Sequence, residues 1–233
     1  MRRQIPNIIT LCNLTCGVVA VWMATQGLLL RAALFILLGI FFDFFDGLAA
    51  RLLKVPSALG KELDSLADLV TSGVAPAFIL FALIGASPLH DLRYIAFLTP
   101  AFAAYRLAKF NLDERQHSSF IGLPAPAAAL MWVGLAIANS NPTYHQWLAS
   151  TTGAIALAAL SLVVAVLMVS ELPMFSLKFD FKRMSWRDNS TRYIFLIVCV
   201  ALAVVLREFS LPCIILWYIT LSCICSAKSV RQS

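Results

Sequence analysis

Residues 30–86 read LRAALFILLGIFFDFFDGLAARLLKVPSALGKELDSLADLVTSGVAPAFILFALIGA. Two apolar stretches, Leu30 to Leu53 and Leu66 to Ala86, each match the roughly 20 residues that cross the hydrocarbon core of a bilayer. The polar link between them, about Lys54 to Lys61, is short, so the pair forms an antiparallel helical hairpin. Inside it stand Asp43, Asp46, Asp64 and Asp68, one third of the twelve acids in the chain. Asp43 and Asp46 are three residues apart and share a helix stripe with Gly47 and Arg51; Asp64 and Asp68 are four apart and again share a face. Both acidic pairs lie towards the linked end of the hairpin. The spacing therefore brings four carboxylates towards one point.

The rest of the chain has the same character. Of 233 residues, 61% are hydrophobic and 13% charged, half the roughly 25% charge of a soluble domain. Such a chain is too apolar to be disordered and too poor in charge to cover a water-facing surface. It reads as an all-α polytopic membrane protein in a single membrane-embedded unit. Eight apolar segments are expected: Ile8 to Thr25, Leu30 to Leu53, Leu66 to Ala86, Leu92 to Phe110, Pro126 to Ala138, Gly153 to Ser170, Tyr193 to Leu206 and Phe209 to Ala227. Only Arg207 and Glu208 separate the last two, which suits a tight helical hairpin. Met1-Arg2-Arg3 resembles the start of a signal peptide. The segment after it carries Asn7, Thr10 and Asn13 and no small-residue cleavage site, so it reads as a retained first helix.

The net charge of +6 is read as membrane topology and not as a nucleic-acid footprint. With both termini cytoplasmic, thirteen basic residues fall on that side: Arg2, Arg3, Lys54, Lys61, Lys109, Arg115, Lys178, Lys182, Arg183, Arg187, Arg192, Lys228 and Arg231. Three, Arg31, Arg93 and Arg207, fall outside, and Arg51 and Arg106 lie at helix ends. The positive-inside rule then puts the acidic end of the hairpin in the cytoplasm and favours an even number of spans. Tyr144 and Trp147 fall in an outer loop, where an aromatic belt places them. The cytoplasmic stretch from about Glu171 to Arg192 mixes Phe175, Phe179, Phe181 and Trp186 with Lys178, Lys182, Arg183 and Arg187. It suits either a segment lying on anionic lipid or a solvated basic loop. The six cysteines lack zinc spacing and histidine partners and are read as packing residues.

Charged groups within spans are costly and usually functional. Four acids face one obvious cationic neighbour, Arg51, so a set of salt bridges does not account for them. One or two divalent cations do, and all-oxygen ligation suits Mg²⁺ or Mn²⁺. Two such ions about 4 Å apart clamp a phosphoryl group in transfer. Gly47 leaves room for a ligand near the backbone, and Arg51 can hold a diphosphate through two parallel hydrogen bonds. The residue types thus point to metal-assisted chemistry on a phosphate ester. A divalent-cation transporter built on the same acids is the rival from a different class.

The stretch from Asp43 to Asp68 resembles the signature of the CDP-alcohol phosphotransferase family, D-x2-D-G-x2-A-R-x8-G-x3-D-x3-D. Asp43, Asp46, Gly47, Ala50, Arg51, Gly60, Asp64 and Asp68 meet all eight fixed positions. The resemblance implies six core membrane helices (here about residues 5–170), often in a homodimer; the helix pair at about 193–227 would be an addition. It implies attack by an alcohol on the lipid-side phosphate of a CDP-linked donor, with release of CMP. Asp43 and Asp64 would bridge two metal ions, Asp46 would hold the first, and Asp68 would hold the second and act as base. Gly47, Ala50, Arg51, Ser57 and Gly60 would bind the CDP-diacylglycerol donor, with Pro6, Asn7 and Thr10 near the nucleotide.

Three further stretches narrow the acceptor: IPNIITLCNLTCG from Ile5, AYRLAKFNLDERQ followed by FIGLPAPA, and LMVSELPMFSLK. Together they are similar to the membrane-integral branch of the family that takes L-serine, a branch that implies a prokaryotic plasma membrane. Arg106 would then hold the serine carboxylate, assisted by Lys109 or Asn111; the competing reading is that Arg106 and Lys109 are interfacial anchors. Ser118, Ser119 and the Gly122-Leu123-Pro124 turn would shape the pocket. None of His90, His117 and His145 begins an H-x-K-x4-D element, so direct attack without a histidine intermediate is expected. Glycerol 3-phosphate or an inositol phosphate are the alternative acceptors.

Overall fold

A computed structural model describes residues 4–112, 120–174 and 186–230. Arg115, His117, Ser118, Ser119, Phe175, Lys178, Phe179, Phe181, Lys182 and Arg183 lie outside the described residues. The expectation for Ser118 and Ser119 therefore falls outside them too, as does that for the central part, 175–185, of the 171–192 stretch. The helices are α1 (Gln4–Thr25), α2 (Leu29–Leu52), α3 (Ala58–Asp68), α4 (Ala75–Gly85), α5 (Leu98–Leu112), α6 (Ala125–Ala138), α7 (Pro142–Leu148), α8 (Thr151–Val169), α9 (Trp186–Leu206) and α10 (Ser210–Val230). A π turn, Leu69–Val74, fuses α3 to α4, and a 3₁₀ turn, His90–Phe97, leads into α5.

The burial pattern is that of a membrane bundle, with small and polar residues inside and large apolar ones outside. On α1 the buried stripe is Pro6, Thr10, Asn13, Gly17, Ala20 and Ala24. The opposite face exposes Ile8, Leu11, Val18 and Trp22. In lipid the outer face gains nothing from burial, so helices associate through close packing of small residues and internal hydrogen bonds. α6 is apolar all round and sits at the centre: Trp132, Met131, Val133 and Ala129 are fully buried. Gly134 of α6 admits α10, since a Cβ there would lie 2.4 Å from Pro212 Cδ.

Among the described residues, five helical stretches are long and apolar enough to cross a bilayer: Gln4–Thr25, Leu29–Leu52, Ala58–Gly85, Thr151–Val169 and Thr191–Cys225, the last taking in most of α9 and of α10. The chain is thus an all-α integral membrane protein. Several expected boundaries move. The polar link of the hairpin is shorter, because Ser57 caps α3 by accepting from Gly60 N at 3.0 Å, which makes Ala58 to Lys61 helical and keeps Asp64 and Asp68 on a helix as expected. Tyr144 and Trp147 lie on the short helix α7 and not in a loop, where Asn141 caps the helix start and Pro142 takes the first position. Helix α9 begins at Trp186, inside the stretch expected to be loop. A small antiparallel pair, β1 (Phe120–Ile121) with β2 (Pro173–Met174), ties the α5–α6 connection to the end of α8. Gly122, at φ +73°, is required there, because a Cβ would meet Met168 O at 2.7 Å.

Candidate active site

Asp43 comes from the last turns of α2, and Asp64 and Asp68 from α3. One carboxylate oxygen from each lies within 4.8 Å of the other two. All three side chains are half-buried. Asp64 Oδ1 is buried with no hydrogen-bond partner among the described residues. Three convergent carboxylates with a lone pair unclaimed are the oxygen donor set of a hard divalent cation. The residues present therefore fit such an ion.

Asp46 stands slightly apart from this group. It is only 6% exposed, and its Oδ2 accepts a short hydrogen bond from the Thr10 hydroxyl of α1. Its charge is still felt by Asp64 and Asp68. The expectation of four acids at one point becomes three together with the fourth beside them, because α1 offers Asp46 a hydroxyl donor.

Asp46 and Asp64 both open onto a pocket of about 220 Å³ between α1, α2 and α3. Its walls include Asn7, Thr10, Gly47, Ala50, Ser57 and Gly60. The two glycines have different reasons. A Cβ on Gly60 would press the capping Ser57 Oγ at 3.0 Å and come into ordinary contact with Asn7 Oδ1 at 3.4 Å, so the glycine leaves room for the cap of α3. A Cβ on Gly47 would meet nothing within 4 Å; no protein neighbour explains it, and it borders the pocket. Arg51 is exposed at the end of α2 and is not part of the wall, whereas Lys61 is. The cation reading assigned to Arg51 thus misses Lys61, which the sequence offered only as a positive-inside residue. Its Nζ donates to Asn111 O at 2.9 Å.

On the opposite flank, Arg106 of α5 is 7% exposed and within electrostatic reach of Asp68 and of Tyr218 on α10. With Lys109, Phe110, Ile121, Met168, Val169 and Ser170 it lines a cavity of about 10 Å³. Lys109 instead turns to Glu171, 3.3 Å away in a partly exposed ion pair. Asn111 donates to Ser65 Oγ at 2.9 Å and so fastens α5 to α3. Of the three residues expected to form one acceptor site, Arg106 and Lys109 border the same small cavity, Lys109 also pairing with Glu171, while Asn111 ties α5 to α3. Asn13 and Thr71 were not singled out in the sequence as site residues. Asn13 donates to Asp68 Oδ1 at 3.3 Å. The one signal for it is its place as a polar residue one helical turn after Thr10 on a largely apolar first helix.

The family model for CDP-alcohol phosphatidyltransferase matches residues 3–205. A CDP-diacylglycerol–serine O-phosphatidyltransferase of Bacillus subtilis is 40% identical over 142 residues, 59% of this chain and 77% of that protein. One of the same name from Helicobacter pylori is 31% identical over 204 residues, 86% of this chain and 80% of the relative. An archaetidylserine synthase of Methanothermobacter thermautotrophicus is 32% identical over 132 residues, 54% of each chain. The match runs through every helix that carries the aspartates and both flanking sites, and on that ground the chain belongs to the CDP-alcohol phosphatidyltransferase family.

Proposed function

We propose that this chain transfers the phosphatidyl group of CDP-diacylglycerol to the hydroxyl of L-serine, giving phosphatidylserine and CMP. The observation that carries the reading is the clustering of Asp43, Asp64 and Asp68 between an open pocket and a buried arginine. The pocket takes the CDP group of the donor, with Gly47 and Ala50 allowing close approach and Lys61 supplying positive charge. The acyl chains run outward between helices into the membrane. Serine enters from the Arg106 flank, where the guanidinium can hold its carboxylate.

Asp43, Asp46, Asp64 and Asp68 are the residues that would hold two divalent cations, Mg²⁺ or Mn²⁺. When bound, such ions neutralise the diphosphate and stabilise the charge that develops on the departing CMP. The serine oxygen forms a bond to the lipid-side phosphorus as the bond from that phosphorus to the bridging oxygen breaks. CMP departs on that oxygen, and the hydroxyl proton passes to Asp68. No covalent enzyme intermediate is involved.

For topology we propose eight passes: α1, α2, α3–α4, the 3₁₀ turn with α5, α6, α8, α9 and α10. Both termini and the site would face the cytoplasm of a prokaryotic cell, as the basic loops favour. The whole chain acts as one catalytic unit, and a homodimer is the assembly that the family resemblance favours.

The test is CMP release by the purified chain in detergent with CDP-diacylglycerol and Mg²⁺ or Mn²⁺. Serine, glycerol 3-phosphate, inositol phosphate and no acceptor are compared. Release that requires serine and stops with EDTA is expected. Release with another acceptor alone would overturn the serine assignment. No release from folded protein, together with metal flux in proteoliposomes, would overturn the transferase reading.

A further inference from the structure

Asn13 is fully buried in α1, in a slot made by two glycines. The Thr71 hydroxyl, from the π turn just after Asp68, donates to the Asn13 main-chain carbonyl at 3.0 Å. That approach requires Gly17, where a Cβ would lie 2.5 Å from Thr71 Oγ1. Gly39 of α2 leaves room on the other side, since a Cβ there would lie 2.5 Å from Thr71 Cγ2 and 2.9 Å from Asn13 Oδ1. The slot fixes the amide with Nδ2 donating to Asp68 Oδ1. Asn13 Oδ1 has no hydrogen-bond partner among the described residues. A buried amide oxygen left without a donor is unfavourable and usually has a functional reason. Here the reason is that the amide spends its donor on the carboxylate.

We propose that Asn13 is a positioning residue for Asp68: its amide N–H holds one carboxylate oxygen, which fixes the direction in which the other is presented. The π turn belongs to the same device. Widened turns of this kind shift register at functional sites, and this one carries Thr71 back onto α1, so that the residue anchoring Asn13 and the residue Asn13 anchors lie on one continuous helical rod. The inference rests on the reading of Asp68 as base and metal ligand. Partners of metal-ligating carboxylates typically change metal affinity or activity by 10–100-fold when removed.

The experiment compares the full chain with Asn13→Leu, which is similar in size and has no donor, and with Asn13→Ser, which is smaller and keeps a hydroxyl. The readouts are kcat, the KM values for both substrates, the melting temperature, and the Mn²⁺ dissociation constant by calorimetry in the absence of substrate. Expected for Asn13→Leu is a fall in kcat of about 30-fold and a rise in the Mn²⁺ dissociation constant of about tenfold. The donor KM and melting temperature should stay near wild type, and Asn13→Ser should recover part of both losses. A kcat within threefold of wild type with unchanged Mn²⁺ binding would overturn the proposal. So would failure of both variants to fold, since the residue would then be structural. Asp68→Asn run in parallel separates the two readings: its retaining activity would remove the role of Asp68 itself, whereas its inactivity beside an unaffected Asn13→Leu would remove only the role of Asn13.

Discussion

On one flank of the aspartates the wall is small and open, with Gly47, Ala50 and Gly60 around a pocket of about 220 Å³. On the other, Arg106 is enclosed with Lys109, Phe110, Ile121, Met168, Val169 and Ser170 around it. The first flank is made by consecutive elements, α1, α2 and α3, and the second by α5, α8 and β1, which the chain brings together from far apart. An open groove of small residues suits a large, partly lipid-bound donor. The cavity beside Arg106 and Lys109 is only about 10 Å³, room for at most one water; what this flank offers is a desolvated guanidinium that can hold a carboxylate through two parallel hydrogen bonds. The clustered acids lie on the seam between the two.

The largest expected effect lies on that seam. Asp64→Asn should lower kcat by about 10³-fold or more, because the carboxylate set loses a shared member. The melting temperature should hold, and a variant that turns over like wild type would break the common seam. Next comes the closed flank. Arg106→Ala should raise the serine KM by roughly 10–100-fold, as loss of a charged hydrogen-bonding group does, while leaving the donor KM within about threefold. A donor KM that rises instead would place Arg106 on the lipid phosphate and blur the division.

The open flank is probed by Gly47→Leu. Its side chain would enter empty space, so the fold should survive while the donor KM rises about tenfold through steric exclusion. An unchanged donor KM would move the nucleotide elsewhere. Lys61→Ala should raise the donor KM more than Arg51→Ala, by a few-fold, since only Lys61 borders the pocket; the reverse order in steady-state kinetics would restore the arginine. The smallest effect is expected at Lys109→Met. It removes one partly exposed ion pair to Glu171, which contributes little, and the serine KM should change by less than about twofold.

The order of legibility follows from range. The hairpin of Leu30 to Ala86 was readable because apolar length and helical periodicity are local properties. The two acidic pairs were readable because residues three or four apart share a face in any helix. The Gly60 position answers to its local cap, Ser57 Oγ, three residues earlier, whereas the approach of Asn7 to the same pocket is a contact between distant parts of the chain. Arg51 shared a stripe with the aspartates in one dimension, yet the end of α2 leaves it exposed while Lys61, one turn into α3, lines the pocket. Lys109 and Asn111 looked like companions of Arg106 by proximity in sequence. Asn111 is instead fastened to Ser65, and Lys109, while bordering the same cavity as Arg106, pairs with Glu171.

By itself the sequence determined membrane class, helical content, the acidic cluster and the family, all of which depend on composition and spacing within one or two helices. Only the tertiary structure decided which acids meet, which cation lines the pocket, and that Asn13 is held between Thr71 and Asp68. Those outcomes depend on how closely helices approach. That distance is set by the absence of side chains at Gly17 and Gly39 and by a π turn whose extra residue redirects Thr71, and neither leaves a periodic trace in the chain.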